Sequence, residues 1–326
     1  MKPARPAVTP GGPVSRVFVG LTLRVVRALS PRTRERLAGF VAALAWTLRI
    51  RRRVALDNLA LAFPEKSGAE RAAIARGAYR TMALAALEAV TSDLLPEADL
   101  QRVVSVVDWK GLDVLLDTRQ PVLIASAHFG SWELFAEVMA RRGIAFAAVV
   151  RPLAGAFNEW VVENRQRAGV ELILQRGALG NMLKALKRGL AVVQLVDQAL
   201  PAKDGVFVPF FGRLASTTPA LSMAAIRSKA PVYVVLAARG EGGALSMSVE
   251  GPIPVPDTGD RRADLTAHIA AVTRVIEDAI RARPDQWLWL HRRWKVAPPP
   301  SLSAGSNREA QQDAGLEDGR VAERSE

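Results

Sequence analysis

Short apolar runs recur through the middle of the chain, at Val122–Ala127, Ala145–Val150, Glu171–Gln175, Ala191–Val196, Val232–Ala238 and Leu245–Glu250. Runs of this length, bounded by turn-forming or charged residues, fit strands buried in a sheet. Helix-period segments near 131–142, 155–168 and 178–188 separate the earlier runs, and a longer one over 260–283 precedes a tryptophan-rich close. This alternation predicts an α/β domain with helices on the faces of a sheet. Ahead of it, an alanine-rich stretch from about Ala69 to Val90 is readily helical, and Pro96 marks a break after it. Prolines at 3, 6, 10 and 13 beside Gly11-Gly12 predict a disordered leader over residues 1–13. Residues 298–326, rich in Pro, Ser, Gly and acids, predict a disordered polar tail. The intervening chain divides into a basic amphipathic segment, 14–60, and an α/β domain, 61–297. No internal repeat is visible.

Charge changes the picture at the amino end. The net charge is +12. Residues 1–60 hold twelve Lys and Arg against two acids, Glu35 and Asp57, whereas the rest of the chain holds 32 against 30. The basic residues are interleaved with apolar ones, as in Leu37–Leu48, which suits an anionic membrane surface better than nucleic acid. The longest uncharged N-terminal stretch, between Arg36 and Arg49, is 12 residues. A helix of that length spans about 18 Å, short of a hydrocarbon core of about 30 Å. The expectation is therefore an interfacial helical hairpin turning near Ser30-Pro31, with a single tilted span as the alternative. The absence of cysteine excludes disulfides, cysteine nucleophiles and cysteine-based metal sites.

Candidate chemistry begins at Ala125-Ser-Ala-His128-Phe-Gly-Ser-Trp-Glu133. It puts one of only three histidines directly after a strand, where open α/β sheets carry their sites. His128 suits a general base near neutral pH, and Glu133 is placed to orient it and balance the imidazolium. Gly130 permits the turn this requires, and Ser131 is a candidate N-cap. Backbone N–H groups of Gly130 and Ser131 are candidate oxyanion donors. Arg151 and Arg176 also follow strands on the expected edge, where guanidinium groups suit a phosphorylated or carboxylated ligand. Asp197-Gln198 ends a further strand there, and Asp197 is expected to pair with Arg176 or Arg151. Ser126 lacks a G-x-S-x-G elbow. Neither a GxGxxG nor a P-loop pattern is present.

The HFGSWE segment resembles the H-G-N/S-W-E core of the bacterial lipid A biosynthesis acyltransferases, the lauroyl and myristoyl transferases of the lysophospholipid acyltransferase superfamily. Further matches run in order: Arg51-Arg-Arg-Val-Ala-Leu-Asp-Asn58 through Phe63-Pro64-Glu65, Val150-Arg151-Pro152, Gln175-Arg176-Gly177 and Asp197-Gln198. Gly205–Gly212 with Thr217-Thr218-Pro219 follows, and Pro284 to Lys295 closes the series. The resemblance covers about residues 14–297. It implies a glycerol-3-phosphate acyltransferase-like fold: a mixed, largely parallel sheet flanked by helices, with N-terminal membrane-associating helices at the cytoplasmic face of the inner membrane.

The resemblance also implies transfer of an acyl chain from an acyl-carrier-protein thioester to a hydroxyl of a lipid A precursor, with no metal or organic cofactor. It makes His128 and Glu133 catalytic. It makes Arg151, Arg176, Asp197, Gln198 and Arg165 contacts of a phosphorylated glycolipid acceptor. Another acceptor, such as a phosphatidylinositol mannoside or ornithine lipid, a non-catalytic lipid-binding protein and a thioesterase are the alternatives. The tryptophans of the closing segment suit either a membrane interface or core packing. His291 has no assigned role, and His268 reads as structural or surface.

Overall fold

A computed structural model describes residues 12–300 except 106, 152–154, 168, 241 and 242. The expected leader and tail lie mostly outside the described residues, although Pro13 opens the first helix. Four helices come first: α1 (Pro13–Ala28), α2 (Pro31–Thr47), α3 (Arg52–Ala62) and α4 (Gly68–Glu88). Ser30 separates α1 from α2, caps α2 by accepting from the Thr33 N–H, and is followed by Pro31 in the first turn. The break therefore falls at the expected Ser30-Pro31. A reciprocal capping box between Ser67 and Glu70 starts α4.

Two short helices follow, α5 (Glu97–Ser105) and α6 (Leu112–Asp117). The alternating part then runs β1 (Leu123–Ser126), α7 (Glu133–Arg141), β2 (Phe146–Val150), α8 (Ala156–Arg167), β3 (Glu171–Leu174), α9 (Ala178–Lys187) and β4 (Ala191–Leu195). A hairpin of β5 (Val206–Phe210) and β6 (Arg213–Thr217) leads to α10 (Ala220–Ser228), β7 (Val232–Arg239), β8 (Leu245–Glu250) and α11 (Arg261–Ala282). The main sheet has the order β3-β2-β4-β1-β7-β8, parallel throughout except for β8. A largely parallel sheet flanked by helices is the expected architecture.

Burial on both faces explains why the strands read as continuous apolar runs. Successive side chains point to opposite faces. In β7, Val232, Val234 and Leu236 join one core with α3, α4, α9, α10 and α11, whereas Tyr233, Val235 and Ala237 join a second with α5, α6 and α7. Trp287 and Trp289 are fully buried in the first core, so these two tryptophans pack the interior. Helix α3, assigned by the sequence to the segment 14–60, also buries Ala55 and Leu59 there. Its Asn58 Nδ2 donates to the carbonyls of Trp289 at 2.7 Å and His291 at 2.6 Å, which locks the closing segment onto α3.

Helix α2 lies along α4, while α1 reaches α8 through the Arg16–Glu159 ion pair at 3.1 Å. Among the described residues, no helix is long and apolar enough to cross a membrane.

Candidate active site

The site is built where β1 and β4 end side by side. Their parallel register pairs Ser126 with Leu195. Two residues further along each chain stand His128 and Asp197. The His128 ring Nδ1 lies 2.9 Å from Asp197 Oδ1, and the His128 backbone N–H donates to Oδ2 at 3.0 Å. An ionised carboxylate only accepts, so the ring carries its proton on Nδ1 and leaves Nε2 as an acceptor. Gln198 Nε2 is 3.4 Å from that Nε2. The buried Trp287 indole N–H donates to Asp197 Oδ2 at 2.9 Å, so the carboxylate is held from three directions.

This corrects two expectations. Asp197 pairs with His128 rather than with an arginine, and the histidine ring is oriented by Asp197 rather than by Glu133. Glu133, the first residue of α7, accepts from the Arg165 guanidinium at 2.5 Å and from the Trp132 indole at 3.1 Å. Arg165, on α8, therefore forms a second charged pair beside the first. Trp132 meets the His128 ring edge-on, with centroids 5.4 Å apart, between the two pairs.

Burial disfavours the charged form of His128, but the Asp197 charge and hydrogen bond outweigh it, with a smaller contribution from Glu133. The net effect raises the pKa of the ring above its ordinary value. Burial likewise works against an ionised Asp197, yet His128, the Trp287 indole and the His128 backbone N–H together hold its pKa below the usual carboxylate value.

The turn between β1 and α7 is stitched to its neighbours. Gly130 N–H donates to Gln286 O at 2.8 Å, Ser131 N–H to Ala237 O at 3.0 Å, and Leu288 N–H to His128 O at 3.2 Å. The Gly130 and Ser131 N–H groups are thus engaged and do not serve as oxyanion donors in this arrangement. Ser131 is not the N-cap either. Trp132 takes that position, and the Ser131 hydroxyl donates instead to Glu88 at 2.7 Å. Glu88 in turn meets the Arg239 guanidinium. The Ser126 hydroxyl is buried and donates to Val235 O at 2.8 Å.

Arg151, just past β2, lines a cavity of about 610 Å³ with Gln198, Arg51, Val54, His291, Arg292 and Lys295. Arg176 is exposed past edge strand β3 and does not line it. His268 is buried, with Nδ1 2.8 Å from the Ser222 hydroxyl, in keeping with a structural role. Among the described residues, no group of three or more His, Cys, Asp or Glu side chains is placed to share a metal ion.

Sequence reading missed the His128–Asp197 partnership. Both residues follow apolar runs, but only strand order shows that those runs are neighbours.

Fold and site together define an α/β protein with a carboxylate-held histidine at the carboxyl edge of a mostly parallel sheet. Residues 14–296 match the family model of the bacterial lipid A biosynthesis acyltransferases. The chain belongs to that family and is an acyltransferase. It is similar to the lipid A biosynthesis palmitoleoyltransferase of Escherichia coli (strain K12), with 28% identity over 77% of this chain and 81% of the relative. It also resembles two further proteins of the same strain. The lauroyltransferase is 27% identical over 76% of this chain and 80% of the relative. The myristoyltransferase is 27% identical over 77% of each.

Proposed function

We propose that this acyltransferase moves a fatty acyl chain from an acyl-carrier-protein thioester to a hydroxyl of a lipid A precursor, with His128 as general base. The carrying observation is the His128–Asp197 pair, which leaves Nε2 as the accepting nitrogen, beside the Gln198 amide and the cationic cavity. His128 Nε2 takes the proton of the acceptor hydroxyl as its oxygen attacks the thioester carbonyl. Asp197 holds the tautomer and stabilises the imidazolium. The tetrahedral intermediate collapses with cleavage of the C–S bond, and the imidazolium returns the proton to the leaving thiolate. The product is an ester.

With the Gly130 and Ser131 N–H groups engaged, the donors for the oxyanion are side chains. Gln198 and Arg165 are the candidates, and Glu133 fixes the Arg165 guanidinium by a charge-assisted hydrogen bond. Glu133→Gln is therefore expected to lower kcat by about 10²-fold, and Arg165→Ala to lower it similarly. The double variant should be little worse than either, because the two residues act as a unit.

The test is a detergent-micelle assay with labelled acyl-carrier protein and a tetra-acylated, Kdo-bearing precursor. Product of the expected mass with wild type, lost with His128→Ala, supports the reading. Folded wild type that acylates only a different lipid replaces the acceptor. Thioester hydrolysis that is equally fast with and without lipid replaces the reaction.

The N-terminal helices suit a peripheral membrane attachment. Val14, Val17, Phe18, Leu21 and Val25 recur at three- and four-residue spacing along one side of α1, and Phe18 and Leu21 are 70% and 60% exposed. Arg24 shares this helix and favours anionic headgroups, whereas Arg16 is paired with Glu159. Phe18→Asp with Leu21→Asp is expected to move the protein from floated to unbound fractions with anionic vesicles. Unchanged flotation would remove α1 as the attachment.

A further inference from the structure

The mechanism leaves one charged pair near the site unused. Glu88, the last residue of α4, meets the guanidinium of Arg239, the last residue of β7, and both side chains are mostly withdrawn from solvent. Burial brings the Arg239 pKa down to about 10, with Glu35 opposing, so the guanidinium stays charged at neutral pH. Charges taken this far from water are costly unless paired, and separating the pair would strand both. The other carboxylate oxygen of Glu88 accepts from the buried Ser131 hydroxyl at 2.7 Å.

The contacts around Ser131 close a ring. Its neighbour Gly130 donates its N–H to Gln286 O at 2.8 Å. The Gln286 side chain then grips the backbone of Arg239, accepting from its N–H at 2.8 Å and donating to its carbonyl at 2.6 Å. Arg239 returns to Glu88, and Glu88 to Ser131. Helix α4 holds the far side of the ring as well. Thr81, two turns before Glu88, donates to Asp285 O at 3.0 Å, and a Cβ on Gly77 would stand 2.7 Å from Asp285 Cβ.

The place of Ser131 in the chain gives this ring its consequence. It lies between His128 and Glu133, and its carbonyl accepts the Leu134 N–H at 2.9 Å, at the start of α7. Holding Ser131 therefore fixes two charged pairs relative to one another, His128–Asp197 and Glu133–Arg165. A misplacement of about 1 Å in such a constellation is enough to cost about 10²-fold in rate.

We propose that Glu88 is a positioning residue of the transfer reaction, which grips Ser131 from α4 with Arg239 as its counter-ion and so sets the spacing between the two pairs. The proposal rests on the acyl-transfer reading above for the reaction it serves.

The experiment compares the full chain with Ser131→Ala, Glu88→Gln and the double variant, in the micelle assay. Ser131→Ala removes one hydroxyl and leaves the Glu88–Arg239 pair intact, so it decides alone if Glu88→Gln does not fold. It is expected to lower kcat roughly tenfold or more, with KM for donor and acceptor within about twofold of wild type and Tm little changed. The double variant should be little worse than Glu88→Gln alone, because both substitutions act through one hydrogen bond. An unchanged kcat in Ser131→Ala, a loss confined to KM, or additive losses in the double variant would overturn the assignment.

Amide hydrogen exchange supplies a readout independent of turnover. The Gly130 and Ser131 N–H groups should exchange roughly tenfold faster or more in Ser131→Ala, while the amides of β4 keep their wild-type rates. Wild-type rates at those two amides overturn the clamp whatever the reaction. Faster exchange in the variant, with a wild type that transfers no acyl chain to any lipid, keeps the clamp and removes the acyl-transfer reading instead.

Discussion

Asp197→Asn is expected to lower kcat by about 10³–10⁴-fold while leaving the fold intact. The asparagine fills the same buried space and can still accept from the His128 backbone N–H and the Trp287 indole through its amide oxygen. It no longer supplies the charge that stabilises an imidazolium, and its amide can present N–H to Nδ1 and favour the wrong tautomer. His128→Ala should lose at least as much. The double variant should match His128→Ala, because a carboxylate without its histidine has nothing left to orient.

The pH profile gives the sign. The base acts unprotonated, so kcat/KM should rise with pH through the pKa of His128, which Asp197 sets above the ordinary histidine value of about 6.5. Residual activity of Asp197→Asn should titrate at lower pH, since burial then acts without the opposing charge. The same linkage applies to stability. The raised His128 pKa stabilises the fold below the unfolded value, and that contribution is lost as pH rises through the folded value. The depressed Asp197 pKa contributes above its unfolded value and is lost as pH falls through the folded one. Stability and activity profiles measured on both proteins check the pair. An acid limb that does not move in Asp197→Asn would mean that Asp197 does not control His128.

The second large effect is expected at Gly130. Its φ is +53°, and a Cβ there would stand 2.1 Å from Ala237 O and 2.9 Å from Ala238 Cα. Both are backbone atoms of β7, so no flexible side chain can yield. Gly130→Ala has to move the turn, breaking the bonds from Gly130 to Gln286 and from Ser131 to Ala237. The left-handed backbone costs about 1 kcal/mol for alanine, and each displaced buried hydrogen bond costs about 1 kcal/mol or more. A loss of about 3 kcal/mol follows, or a Tm lower by about 4 °C in a chain of this size. Activity should fall by about 10²-fold or more, because His128 precedes the turn by two residues and moves with it. Gly143→Ala is the control. Gly143 also has positive φ, +66°, but its Cβ would meet nothing within 4 Å, so it shows the backbone cost alone. Similar losses in the two variants would remove the steric account.

Much of the architecture was legible because buried parallel strands must be apolar on both faces. Each of the six expected runs overlaps a strand of the main sheet, and each of the five expected helices, from the alanine-rich stretch to 260–283, has its counterpart. The β5–β6 hairpin was harder to see. Gly205, Pro209 and Gly212 interrupt it, and it pairs with itself outside the main sheet. Helix α3 was hidden differently, since its arginine-rich opening reads as membrane-facing while Ala55, Asn58 and Leu59 turn inward.

The sequence by itself determined that this chain forms an α/β sheet, that His128 stands at a strand's carboxyl end, and that basic residues gather near the amino end. Local spacing suffices for those, because strand burial, turn chemistry and net charge are properties of neighbouring residues. It suggested Glu133 as the partner of His128, since the two are five residues apart. The tertiary structure gave that place to Asp197, 69 residues away, and gave Glu133 to Arg165 on another helix. Strand order made the difference. Laying β4 beside β1 in register turns a long separation in sequence into a hydrogen bond of 2.9 Å, and no periodicity within either strand encodes which strand will be its neighbour.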